Sequence, residues 1–303
     1  MISFKKGKPV AIVCGGDYDN KTIHITEEDE KPDRNIDEED IYDLLDDEDF
    51  NLTKYKRLPL KDRLKLARAL KRQIEPLEDY LAERYHRNSI KLDNKLKKEL
   101  TLETGCMVPI PAEETERIYI AGKSGSGKSC LAAIYAREYH SMFPKRKIII
   151  FTKHEKDKAY EGIPHREVLC DDPILKKPIK VTSLSNRLVI FDDCDHIQDK
   201  TINDNVRRLN DDLITTGRKY NIHVLTLQHQ LLNYKDTRNL LNEANKVVFF
   251  NSSCNYHITR YLKTYVGLAP EMIKKITGLK SRWTMISLSI PSYIMHEHGI
   301  FII

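Results

Sequence analysis

No apolar run in this chain approaches the ~18 residues that a membrane-spanning helix needs. Its first residues, MISFKKGKPVAIV, also lack the longer apolar stretch and small-residue cleavage site of a secretory signal. A soluble intracellular protein is therefore expected. Cysteine is sparse: Cys14, Cys106, Cys130, Cys170, Cys194 and Cys254 lie far apart, with no C-x-x-C pair and no Cys/His cluster at zinc spacing. That argues against a zinc module or a disulfide framework and in favour of reduced, mostly buried thiols. Internal repeats are absent as well, and the one biased segment is acidic.

What is present is a chain of 303 residues, 40% hydrophobic and 31% charged, long enough to bury a core and too apolar to be wholly disordered. Its net charge of +5 hides an asymmetry. Between Glu27 and Asn51 fourteen acidic residues face only Lys31 and Arg34, a local −12 that leaves the rest of the chain at +17. A basic body with one acidic segment suits a polyanionic partner such as nucleic acid, although a charge excess is often no more than solvated surface.

The patterns divide the chain into four stretches. In residues 1–26, KPVAIVC and TIHIT flank a GGDYDN turn and read as a β-hairpin. Residues 27–51 form an acidic linker. In residues 52–100, Lys54 to Arg72 carry nine Lys/Arg with only Asp62 against them, and Leu60, Leu64, Ala67 and Ile74 recur at helical spacing. A basic helical extension follows from this, with a second helix near Leu77–Arg87. It contacts nucleic acid or packs its apolar stripe on the main domain. From 101 to 303, short β-branched runs (RIYIAG, KIIIFTK, RLVIFDD, IHVLTLQ, KVVFF) alternate with helical segments, and RWTMISLSI, PSYIM and GIFII close the chain as terminal strands. This is the pattern of an α/β domain, a mostly parallel sheet with helices on both faces.

Gly122-Lys123-Ser124-Gly125-Ser126-Gly127-Lys128-Ser129, followed by Cys130, matches the P-loop pattern G-x-x-x-x-G-K-[ST] between a predicted strand and a predicted helix. Closely spaced backbone N–H groups and a helix N-terminus make such a loop an anion cradle. Lys128 then reaches the β- and γ-phosphates of ATP, and the Ser129 hydroxyl ligates Mg²⁺. The remaining half of such a site is a carboxylate at the end of a neighbouring buried strand, which Leu188-Val189-Ile190-Phe191-Asp192-Asp193 supplies. Asp192 is the Mg²⁺ partner. Asp193, on the opposite face of an extended strand, is the candidate to polarise an attacking water, or else a turn or capping residue. Cys194, Asp195 and His196 read as loop.

After that strand Ile202, Val206, Leu209 and Leu213 mark the buried face of a helix that Gly217 can terminate. Arg218 emerges at the helix end. It can stabilise transition-state charge in its own subunit or across an oligomer interface, or simply complement the helix dipole. Gln228 ends the next apolar run, where an amide can sense a γ-phosphate or orient water, or is simply a polar residue of a strand-to-loop turn.

GKSGSGKS, LVIFDD and TTGRKYNIHVLTLQ, in that order, resemble the DNA-packaging ATPases of nucleocytoplasmic large DNA viruses, in the FtsK/HerA branch of P-loop proteins. The likeness spans about Arg117–Asn251. It implies an ATP-driven motor assembled as a ring, a hexamer in the family, that moves double-stranded DNA into a capsid. Its setting would be the virion and the host cytoplasm, with capsid or virion-membrane components as partners. By the same resemblance, Lys128 and Ser129 bind phosphate and Mg²⁺, Asp192 holds Mg²⁺ and Asp193 activates water. Arg218 acts near the γ-phosphate, of its own or a neighbouring subunit, and Gln228 is the sensor, or Gln230 if the register is shifted by two. Two departures stand out: Lys219 where relatives often have histidine, and Asp193 where many motors have glutamate. A P-loop kinase and a non-hydrolysing nucleotide-bound structural protein are the competing readings.

Overall fold

Short runs of β-branched residues need cover on both faces, and this chain provides it by stacking helices on either side of one long sheet. The computed structural model describes residues 1–26, 98–195, 197–233, 237–251 and 255–303. The acidic linker, the basic helices, His196 and Cys254 lie outside the described residues. In chain order the strands are β1 (Ile2–Ser3), β2 (Lys8–Cys14), β3 (Thr22–Ile25), β4 (Glu99–Thr101), β5 (Cys106–Pro109) and β6 (Arg117–Ala121). Helix α1 (Lys128–Met142), β7 (Lys147–Thr152), β8 (Arg166–Leu169), β9 (Arg187–Asp192), α2 (Lys200–Thr216) and β10 (His223–Gln228) follow. The chain continues through α3 (Arg238–Glu243), β11 (Lys246–Phe250), α4 (Asn255–Tyr261), α5 (Pro270–Thr277), β12 (Trp283–Ser287), β13 (Tyr293–His296) and β14 (Gly299–Ile302).

The large sheet has the order β4-β14-β13-β12-β11-β6-β10-β9-β7-β8. The six strands from β11 to β8 are mutually parallel. Antiparallel β12, β13, β14 and β4 extend it from β11, so the expected terminal strands join the same sheet. Strand β4 also carries the chain into this sheet at the point where the helical extension was expected to end. A separate small sheet, β1-β3-β2-β5, contains the N-terminal hairpin, antiparallel from Lys8↔Ile25 to Ile12↔Thr22 with a bulge between Pro9 and Ala11.

Two apolar layers hold the large sheet. Leu131, Tyr135, Ala136 and Tyr139 of α1 pack with Ile118, Ile120, Leu188, Ile190, Leu225 and Leu227 on one face. Ile202, Val206, Leu209 and Leu213 of α2 pack with Tyr119, Val189, Phe191 and Val224 on the other. Asp199 caps α2, its carboxylate accepting from Thr201 N and Ile202 N. Gly217 ends this helix as expected, its N–H donating to Leu213 O as the C-cap. It keeps right-handed helical geometry and continues as a 3₁₀ turn through Tyr220, which Asn221 ends with φ 57. The left-handed turn that the reversal requires falls later, on Asn221, a residue type that tolerates it.

The thiols differ from expectation too. Of the five described cysteines only Cys170 is buried, because Cys14 ends its strand at the surface and Cys130 lies on the exposed side of the first turn of α1.

Candidate functional site

Parallel pairing decides what meets at the carboxyl edge of the sheet. Register Gln228↔Ala121 ends β10 level with β6, and Thr226↔Phe191 brings β9 alongside. The glycine-rich loop, the Gln228–Gln230 segment and the two aspartates therefore emerge together, in the crevice where open parallel sheets bind ligands. The acidic strand is not the immediate neighbour of the loop strand; β10 lies between them.

The loop is built for an anion. Gly125 and Gly127 adopt φ 71 and 104, values that a side chain would oppose. Helix α1 starts at Lys128 with no side-chain cap and no acidic residue in its first turn, so its N-terminal N–H groups remain available to a phosphate. Lys123, Ser124, Gly125 and Cys130 are exposed, Ser126, Gly127 and Ser129 half-buried, and Gly122 and Lys128 buried. Gly122 N donates to Gln228 O at 3.0 Å, which ties the loop to the tip of β10. Lys128, 5% exposed, donates through Nζ to Lys123 O at 3.3 Å and stands 3.8 Å from Asp193 Oδ1.

Asp192, the last residue of β9, is 3% exposed. Tyr160 donates its hydroxyl to Asp192 Oδ2 at 2.7 Å. Burial lifts the Asp192 carboxyl above the usual carboxylate range, with the Tyr160 and Ser129 hydroxyls pulling the other way and the Asp193 charge adding to the rise. Asp192 Oδ1 is sealed from solvent without a hydrogen-bond partner among the described residues. An orphaned carboxylate oxygen beside a serine hydroxyl at a phosphate loop is a hard-oxygen donor set, and it fits Mg²⁺.

Asp193 leaves the strand with φ 52. The simple alternation expected of a strand ends here, and the turn carries its carboxylate toward Lys128 and His229. His229 Nε2 lies 3.7 Å from Asp193 Oδ1, and His229 Nδ1 lies 3.1 Å from Asp195 Oδ2. Burial raises the Asp195 carboxyl, but the His229 hydrogen bond and charge outweigh it and hold the group below its ordinary range. Tyr119 donates its hydroxyl to Gln228 Oε1 at 3.2 Å and to Gln230 O. Gln228 is half-buried at this tip, and the Gln230 side chain is exposed. Beside the loop a cavity of about 480 Å³ is lined by Gly125, Ser126, Phe250, Ser281, Arg282 and Glu297.

Arg218 is elsewhere. It is exposed on the turn that precedes β10, at the amino edge of the sheet. The length of β10 separates it from the loop, about 20 Å at the usual ~3.3 Å per strand residue. Arg218 therefore does not join the side chains gathered at the loop of its own chain.

Three polar residues of this crevice have no counterpart in the motif reading. Tyr160 belongs to a short turn that carries no pattern. Tyr119 looks like one more apolar strand residue. His229 had a faint signal, since it sits between the two glutamines weighed as sensors at the strand tip.

Over 210 residues the chain is 38% identical to the uncharacterized protein V3 of Sputnik virophage, covering 68% of this chain and 85% of V3. The chain belongs to the V3 family. No family model matches the sequence. Among solved structures, this V3-family chain is similar to the genome packaging NTPase B204 of Sulfolobus turreted icosahedral virus 2 in complex with AMPPCP. That match has a TM-score of 0.42 and 13% identity, over 60% of this chain and 97% of B204. It is also similar to the conjugation coupling protein TcpA of pCW3 with ATPγS, at TM-score 0.44 and 11% identity, over 68% of this chain and 67% of TcpA. These overlaps are loose, and the chemistry of the V3-family site is carried by its own residues. No described helix is long and apolar enough to cross a membrane.

Proposed function

We propose that this protein is an ATP-hydrolysing motor that moves double-stranded viral DNA into a capsid. The observation that carries the hydrolytic part is the convergence of Lys128, Ser129, Asp192 and Asp193 at one edge, with Lys128 Nζ 3.8 Å from Asp193 Oδ1. The DNA part rests on the order of its motifs, on their resemblance to packaging ATPases and on the basic excess outside the acidic segment.

In this reading the backbone N–H groups of Gly125 to Ser129 hold the β- and γ-phosphates, and Lys128 turns from Lys123 O to the phosphate oxygens. Ser129 and Asp192 hold Mg²⁺, which when bound offsets phosphate charge. Asp193 accepts the proton of the attacking water at its carboxylate. Gln228, fixed by Tyr119, reports the γ-phosphate. The nucleoside end lies in the cavity beside Ser126, where the Arg282 guanidinium, held by Glu297 at 2.6 Å, offers a flat cationic surface. Arg218 reaches the site of a neighbouring chain in a ring, which is hexameric in the resembling family. Capsid or virion-membrane components and the host cytoplasm complete the setting.

Phosphate release from Mg·ATP, followed with and without linear double-stranded DNA over a salt series, tests this function. Stimulation by DNA that fades with rising salt is the expected result, because phosphate contacts are salt-sensitive. Transfer of phosphate to an acceptor instead of its release, or turnover indifferent to any nucleic acid, contradicts it.

A further inference from the structure

Asp193 is poorly held for a residue that must aim at a water. It lies beyond the end of β9, in a left-handed conformation, and its Oδ1 is shielded from solvent with no hydrogen-bond partner among the described residues. Two side chains approach that oxygen, Lys128 at 3.8 Å and His229 at 3.7 Å. Lys128 cannot serve as its support when phosphates occupy the loop, because the same ammonium is needed there. His229 has no such second duty.

We propose that His229, locked by Asp195, is the positioning residue that keeps the Asp193 carboxylate directed at the γ-phosphate. This role rests on the hydrolytic reading above. The imidazole is anchored from several directions. Asp195 Oδ2 at 3.1 Å from Nδ1 fixes the ring and leaves Nε2 to face Asp193. Lys153 donates to Asp195 O and holds that loop. On either side of His229 the Tyr119 hydroxyl donates to the Gln228 side-chain Oε1 and to Gln230 O, and Gln228 O accepts from Gly122 N. His229 thus links the strand that carries the phosphate loop to the loop that carries the acid, so the water-activating group is registered against the phosphate site. Asp193, Asp195 and His229 come close enough together to suit a small cation. Lys128 already presents a positive charge to the same Asp193 oxygen, and this argues for a positioning array over a second metal.

The glutamine and asparagine variants separate positioning from packing. In His229→Gln the amide nitrogen falls near the place of Nε2 and still reaches Asp193; in His229→Asn it stops near the place of Nδ1 and reaches only Asp195. Steady-state phosphate release is measured for the wild type, His229→Ala, His229→Gln and His229→Asn, beside titration with a fluorescent ATP analogue that also reports folding of the site. The expected result for His229→Ala is a kcat lower by roughly 10- to 100-fold, the scale of a misaimed reactive group, with nucleotide affinity unchanged. His229→Gln regains most of the rate, and His229→Asn stays with alanine. A wild-type rate in His229→Ala, equal rescue by both amides, or a loss confined to affinity overturns the proposal while leaving the ATPase intact. A wild type without turnover removes the hydrolytic reading and this role with it.

Discussion

Lys128 Nζ and Asp193 Oδ1 face each other across 3.8 Å although β10 lies between the strands that deliver them. The contact spans a strand because α1 begins directly after the loop and folds back over the sheet, while Asp193 turns out of β9 in a left-handed conformation. At that distance the ammonium and the carboxylate face each other directly, so an entering γ-phosphate must draw Lys128 away from Asp193. Replacing Asp193 by asparagine keeps the size and removes the base. The expected outcome is a kcat lower by about 100-fold or more with nucleotide affinity retained. Single-turnover decay of bound ATP measures it, and an unchanged rate assigns Asp193 to the turn alone.

Gly122→Ala tests how tightly the loop is packed. A Cβ there meets Ser126 Oγ at 2.6 Å and Phe250 Cδ2 at 2.8 Å, both closer than van der Waals contact permits. The Ser126 hydroxyl and the Phe250 ring must give way, or the loop shifts and its N–H groups with it. Affinity for a non-hydrolysable ATP analogue falls by roughly tenfold or more, given that overpacking strain costs ~1–3 kcal/mol. Calorimetric titration reads this directly.

A pH effect follows from the opposite edge of the sheet. His223 is fully buried, with Tyr135 OH 3.4 Å from Nδ1. Burial, only partly offset by the attraction of Glu116, lowers its pKa from 6.5 to about 4. Between those values the unfolded chain binds the proton that the folded chain refuses. Stability therefore rises with pH across that window and is fully present above it, by an amount of the order of 3 kcal/mol. Urea denaturation from pH 4 to pH 7 checks this, and His223→Asn flattens the dependence.

The legible part of this molecule was the part with short-range rules. The P-loop declares itself because backbone chemistry demands those glycines in that order, and β6, β9 and β11 declare themselves as apolar runs that end in punctuation. The side-by-side exit of loop, acids and Gln228 is a long-range fact: it depends on β10 inserting between β6 and β9, which no local pattern encodes. For the same reason the sequence left open whether Arg218 lies beside its own loop, and the strand between them places it at the opposite edge. Tyr160 and His229 were hidden because a lone polar residue in a turn carries no periodicity. Gly217 was legible as the end of its helix, whereas the 3₁₀ turn that carries the chain on to Asn221 had no signal.

Arg218 is exposed and remote from its own loop, so Arg218→Ala leaves nucleotide binding of the isolated chain unchanged. In mixtures with wild-type chains under DNA-stimulated conditions, activity falls out of proportion to the mutant fraction. A linear decline shows that each chain works without its neighbour's arginine.

The phosphate loop and the aspartate pair serve one Mg·nucleotide if the site works as described. Titration of a non-hydrolysable ATP analogue, with and without Mg²⁺, into wild type, Lys128→Ala and Asp192→Asn tests it most directly. Mg²⁺ is expected to tighten binding to the wild type, Lys128→Ala to bind weakly in either condition, and Asp192→Asn to bind the metal-free analogue normally but gain little from Mg²⁺. A full Mg²⁺ gain in Asp192→Asn would contradict it.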